Sequence, residues 1–137
     1  MPRPSPEPLR PVVPRVALRL PVPPSVNALH AHGRGTPRRS PEYAAWIAAA
    51  GWTLLAQRPG RIDGPYDLTL VMPATSRADL GNLEKGVSDL LQLHGVIGND
   101  RDAEAIHLRW HRKHDEAEVV VVPFAGAAVR PRAGRAA

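Results

Sequence analysis

The sequence predicts an α/β fold of the α+β kind: one small domain with a mixed sheet of about four strands and two helices, in the order β-α-β-α-β-β. Three observations carry this expectation. Apolar side chains alternate with polar ones at 15–20, 66–72 and 104–111, the period of half-buried strands. A helix-start signal at Ser40 and an amphipathic stretch at 80–93 supply two helices. The length, 137 residues, is that of one domain with a modest core.

In chain order, Val16, Leu18 and Leu20 face inward from the first strand, with Arg15 and Arg19 outward. Pro21, Pro23 and Pro24 then leave the sheet, because proline cannot donate to a ladder. A loop follows with His30, His32, Arg34, Arg38 and Arg39. Ser40-Pro41-Glu42 starts a helix: Ser as N-cap, Pro at the first helical position, an acid in the positively polarised first turn. Ala44, Ile47, Ala48 and Leu55 are its expected inner face, up to about Gln57 and the break at Pro59-Gly60. The second strand places Leu68, Leu70 and Met72 on one side. The second helix is expected over Leu80–Leu93, ending at His94-Gly95. The third strand, 104–111, points Ile106, Leu108 and Trp110 inward and His107, Arg109 and His111 outward. A hairpin turn at 113–116 leads into 117–122, whose unbroken apolar run predicts a strand buried on both faces. Residues 1–14 read as a disordered Pro-rich tail, 15–124 as the folded domain and 125–137 as a flexible basic tail.

Composition narrows the function classes. Lys plus Arg is 18 against 13 Asp plus Glu, a net charge of +5, which favours anionic partners, nucleic acid first. The absence of cysteine excludes disulfides, thiolate-bound zinc and thiol nucleophiles. No apolar run approaches the roughly 20 residues of a membrane span, and the proline-bearing N-terminus does not resemble a signal core, so a cytoplasmic protein with no membrane partner is expected.

The stretch from Arg77 to Asp100 carries the chemistry. Carboxylates stand at Asp79, Asp89 and Asp100, with Asn82 and Lys85 between them. On one helix, 82, 85 and 89 are three- and four-residue neighbours and share a face, while Leu80, Leu83, Val87, Leu90 and Leu91 take the other. Acids beside a lysine in a basic chain point to divalent-metal and phosphate chemistry. The histidines at 30, 32, 107, 111 and 114 match no zinc spacing, and outward strand histidines beside arginines are more often in contact with phosphate or solvent.

With these elements placed, the chain resembles the RusA family of Holliday junction resolvases, small endodeoxyribonucleases common in phage and prophage genomes. The likeness runs from about Leu18 to Val122. It is carried by Pro23-Pro24-Ser25-Val26-Asn27, by Ser40 and Tyr43, by Asp79-Leu-Gly-Asn82-Leu-Glu-Lys85, by Asp89-Leu and by Gly95-Val-Ile-Gly-Asn99-Asp100. Two positions depart from the family pattern: Gly81 stands where a second acid is usual, and Asn99 where the first residue of an Asp-Asp pair is usual. The resemblance implies a homodimer that binds four-way DNA junctions and cuts paired phosphodiesters using Mg²⁺ or Mn²⁺. Gly81 and Asn99 leave an alternative, a junction-binding homologue that does not cut.

Mg²⁺ is commonly held by one or two carboxylates plus waters and phosphate oxygens. Asp79 and Asp100 meet that minimum, with Asp89 in support, and Lys85 is placed to neutralise charge on the phosphorane or to orient the attacking water. Asp79, Lys85, Asp89 and Asp100 are therefore the expected catalytic set. The loop between the first strand and first helix, with Asn27, Arg34, Arg38 and Arg39, is the expected DNA-binding rim, joined by Asn82 and Lys85.

Overall fold

The computed structural model describes residues 10–28, 30–31 and 38–126. It contains β1 (Val16–Leu20), β2 (His30–Ala31), β3 (Arg38–Arg39), α1 (Pro41–Ala56), β4 (Tyr66–Pro73), α2 (Glu84–Leu93), β5 (Ala103–His111) and β6 (Ala117–Pro123). Single 3₁₀ turns occur at Val26–Ala28, Leu80–Asn82 and Asp100–Asp102. The main sheet has the order β1-β6-β4-β5. Its β1–β6 and β6–β4 pairs are antiparallel and its β4–β5 pair is parallel, so the predicted mixed four-stranded sheet with two helices is found. The two short strands β2 and β3 form a separate antiparallel pair within the loop before α1.

Register explains which side of the sheet is covered. Val16, Leu18 and Leu20 stand opposite Val121, Val119 and Ala117, and Leu68 and Leu70 continue the row. All are buried, and together with Tyr43, Trp46, Ala50 and Leu54 of α1 and Val87, Leu90 and Leu91 of α2 they form one core. Both helices therefore pack on this face. The opposite face leaves Ala17, Arg19, His107 and Arg109 exposed.

Ser40 caps α1 as expected: its side-chain oxygen accepts from the Tyr43 N–H and Pro41 opens the helix. The buried stripe, however, is Tyr43, Trp46, Ala50, Gly51 and Leu54, whereas Ala44, Ala48 and Leu55 are exposed. This helix is apolar around most of its circumference, so periodicity alone does not mark the inner side; the two large aromatics do. Ile106 and Trp110 share the covered side by register with Leu68 and Met72, yet they remain 43% and 37% exposed because β5 is an edge strand beyond the helices' reach. His111, expected outward, is buried. The predicted double-sided burial of 117–122 is also not found: Ala117, Val119 and Val121 are buried, with Glu118, Val120 and Val122 partly exposed between them.

The single helix expected over Leu80–Leu93 is divided. Leu80–Asn82 is a 3₁₀ turn and α2 begins at Glu84, with Leu83 at φ −101°, ψ −11° as the joint. Asn82 thus does not share an α-helical face with Lys85 and Asp89. The C-terminus of α2 is closed by paired bonds from the Gly95 N–H to Gln92 O (3.1 Å) and the Val96 N–H to Leu91 O (2.9 Å). That motif requires the left-handed φ of +71° that Gly95 supplies.

The boundary expected at Pro14 lies too late. The Val13 N–H donates to Arg61 O and the Arg61 N–H to Pro11 O, joining this segment to the chain before β4. Arg10 Nε donates to His94 O at 2.8 Å, a cation on the negative end of α2. The remainder of both expected tails, 1–9 and 127–137, lies outside the described residues.

Candidate active site

Lys85 and Asp89 are one helical turn apart on α2, which sets the first ion pair: Nζ lies 2.8 Å from Asp89 Oδ1. Asp100, on the 3₁₀ turn that leads into β5, reaches the same ammonium with Oδ2 at 3.2 Å. Lys85 is thus clamped between two carboxylates. Their hydrogen bonds, Asp89 first, raise its pKa well above the ordinary lysine range, so Lys85 stays protonated between the two acids.

Each acid has a second support. Asp89 Oδ2 accepts from the Tyr43 hydroxyl at 2.9 Å. The Tyr43 ring stacks on Trp46 at 6.4 Å between centroids, and the Trp46 indole N–H donates to Pro21 O, so α1 and the proline segment hold this bond in place. The Asp100 N–H donates to Gln92 Oε1 at 2.9 Å, fixing the turn against α2. Asn99 caps that turn through its side-chain oxygen, which accepts from the Arg101 N–H at 3.0 Å. Tyr66, buried at the start of β4, has its pKa pushed up, first by burial and then by the charges of Asp100, Glu84 and Asp102. Acid charge therefore gathers around this end of the sheet.

Asp79 makes no bond to the clamp residues. It is exposed, and it closes the Leu80–Asn82 turn with its backbone carbonyl, which accepts from the Asn82 N–H at 2.9 Å, and not with its carboxylate. Among the described residues, the carboxylates of Asp79, Asp89 and Asp100 do not meet as a ligand cluster. The group whose ligand atoms lie within 4.8 Å of one another is His111, His114 and Glu118, at the other end of β5.

Those histidines are already engaged. His111 Nδ1 accepts from the Lys113 N–H at 3.2 Å and its Nε2 faces Glu116 O at 2.8 Å. His114 Nδ1 accepts from the Glu116 N–H at 3.1 Å and its Nε2 faces Glu118 Oε1 at 2.9 Å. Every ring nitrogen is spent on bracing the β5–β6 turn, and the bond from His114 lowers the Glu118 pKa.

Of the expected DNA-binding residues, Asn27 is exposed on the turn Val26–Ala28, which packs beside α2. Arg38 and Arg39 form β3, paired through the backbone with Ala31 and His30. Arg34 lies outside the described residues. Gly81 is exposed, and a Cβ built there meets nothing within 4 Å. Sequence reasoning missed Gln92 and Tyr66 as supports of the site. Tyr43 meets Asp89 across 46 residues, a distance at which no local periodicity reports.

The arrangement sits in a chain with recognisable relatives. No protein-family model matches it. The crossover junction endodeoxyribonuclease RusA of Aquifex aeolicus (strain VF5) is 34% identical over 92 residues, which cover 65% of this chain and 72% of that relative. The chain belongs to the RusA family. With RusA kinship established, the residues to weigh are those of the clamp and of the Asp79 loop.

Proposed function

We propose that this protein is a structure-selective, divalent-metal-dependent endodeoxyribonuclease that resolves four-way DNA junctions in recombination and repair. The observation that carries the reading is the Lys85 clamp: a cation held by Asp89 and Asp100 in a RusA-family chain.

The donor set suits Mg²⁺ or Mn²⁺, which take carboxylate oxygens together with waters and phosphate oxygens. Asp100 and Asp79 are the residues to hold it, with Asp89 in support; Asp100 has used only Oδ2 on Lys85, and the Asp79 side chain makes no cap bond. The metal, when bound, supplies an activated water and charge neutralisation at the leaving oxygen. The protein's own contribution is electrostatic. Lys85, permanently cationic, faces the non-bridging oxygens of the scissile phosphate and stabilises the charge that grows on them. Tyr43 and Gln92 keep the two acids in position, so little reorganisation is needed as that charge develops. Asn27 and Asn82 stand near this centre as DNA contacts, and Arg34, Arg38 and Arg39, in the loop before α1, supply the cations that draw DNA toward it. The active species is a homodimer, which places two such centres on one junction; light scattering on the purified protein checks this directly.

A second reading, a junction-binding homologue that does not cut, is favoured by Gly81, which adds no carboxylate, and by Asp79, Asp89 and Asp100 not forming a ligand cluster among the described residues. Incubation with a synthetic four-way junction and Mg²⁺ or Mn²⁺, beside Asp100→Asn, separates the two. Cutting by the wild type that falls about 100-fold or more in the variant supports the nuclease, a loss on the scale of removing one preorganised electrostatic group. Tight junction binding with no cutting in either metal selects the second reading.

A further inference from the structure

The end of the sheet farthest from the clamp has an electrostatic character of its own. Between Ala105 and His114 the chain contains no acid, while His107, Arg109, Arg112 and Lys113 are all exposed. Among the described residues Arg109, Arg112 and Lys113 form no ion pair, whereas Arg61 and Lys85 are paired with Asp63, Asp89 and Asp100. His107 and Arg109 project from the uncovered face of β5, an edge strand. Arg112 and Lys113 follow on the turn, where a cavity of about 400 Å³ opens between Thr75 and Ala74 at the end of β4 and the segment His111–Asp115. The two braced histidine rings hold the turn in shape around this cavity. The braced turn thus offers a half-open concavity edged by Arg112 and Lys113, two cations available to an anion.

Position identifies the anion. The clamp lies at the N-terminal ends of the parallel strands β4 and β5, since Asp100 directly precedes β5 and Tyr66 opens β4. The cavity lies at their C-terminal ends. Nine residues of β5 separate them, about 26 Å at roughly 3.3 Å per residue. A single small anion needs no such separation, but a DNA arm presents phosphates along that whole length. We infer that β5 and its turn form a second DNA grip, in which Arg109, Arg112 and Lys113 hold the phosphate backbone of a duplex arm remote from the cut and the cavity beside Thr75 seats one phosphate. Asp115 at the cavity rim sets the limit on how deep the backbone enters. The identity of the ligand rests on the nuclease reading above. The grip lets the enzyme measure where an arm points, because an arm that holds one end at the clamp reaches the turn only along a defined direction.

The test is a salt titration of binding, by fluorescence anisotropy, to a labelled linear duplex and to a labelled four-way junction, without divalent metal. Arg112→Ala combined with Lys113→Ala is compared with wild type and with Arg58→Ala, an exposed cation on the turn after α1. The double variant is expected to make the plot of log K against log salt shallower by about 1.8, two phosphate contacts. At about 0.1 M salt this weakens both DNAs on the order of tenfold or more. Arg58→Ala stays with the wild type. Where circular dichroism shows the double variant misfolded, Lys113→Gln carries the test with a slope change of about 0.9. Unchanged slopes in folded variants overturn the grip, as does a wild type that binds neither DNA. A wild type that holds duplex with the expected slope but neither prefers nor cuts junctions removes the nuclease reading and leaves the grip standing. One that cuts junctions with slopes untouched by these variants removes the grip alone.

Discussion

The two ends of the β4–β5 pair each gather titratable side chains, yet they spend them differently. At the N-terminal end Lys85 is shared by Asp89 and Asp100, and oxygens of both the clamp and Asp79 remain for a further partner. At the C-terminal end His111, His114 and Glu118 come closer together than the acids do, but each imidazole nitrogen is consumed by the turn or by Glu118. Crowding of ligand-type atoms is thus a poor guide to chemistry. What matters is which lone pairs and protons are left over after the fold has taken its share.

The sharpest way to break this contrast is Lys85→Ala. Two partly buried carboxylates then face each other without a cation, and junction cutting is expected to fall about 100-fold or more, with weaker junction binding, in a cleavage assay under saturating metal. Normal cutting by this variant removes the clamp from the chemistry. Gly81→Asp sharpens the same end in the opposite direction. The position is open, so the new carboxylate costs little stability, and cutting in Mn²⁺ is expected to rise about tenfold, a change of roughly 1.4 kcal/mol in barrier.

At the other end, His111→Ala removes a buried ring with two hydrogen bonds and is expected to cost about 1–3 kcal/mol, read as a melting temperature lowered by several degrees. A melting curve that superimposes on the wild type's denies the ring its bracing role. The smallest effect is one of pH. Bonding to His114 depresses the folded-state pKa of Glu118, so its contribution to stability is present above the ordinary carboxylate pKa and is lost as pH falls through the depressed value. Glu118→Gln therefore flattens the acid limb of a stability–pH curve measured by urea unfolding and leaves the slope near neutrality unchanged.

Much of this was legible in the sequence where the signal is local. Ser40-Pro41 located α1, alternation located β1, β4 and β5, and the four-residue step from Lys85 to Asp89 put them on one helix face. The misreadings arose where an answer depends on distant neighbours. No pattern in 41–56 tells which side of an almost wholly apolar helix meets the sheet, and no pattern in 103–111 tells that β5 ends the sheet with Ile106 and Trp110 uncovered. Proximity of His111, His114 and Glu118 required the hairpin to close first. Asn82 was placed on one face with Lys85 and Asp89 because a continuous helix was assumed, and the 3₁₀ turn at Leu80–Asn82 breaks that face.

The parallel pairing of β4 with β5 has a kinetic consequence. Asp79, Lys85, Asp89 and Asp100 all belong to the connection between those two strands. A parallel neighbour cannot be reached by a tight hairpin, so the whole crossover must be laid down before β5 docks. Such non-local closure is a slow step in folding. Asp100 lies on the turn that leads directly into β5, so docking of β5 beside β4 fixes its place against Lys85. The parallel topology thus ties the lasting geometry of the clamp to the completed sheet.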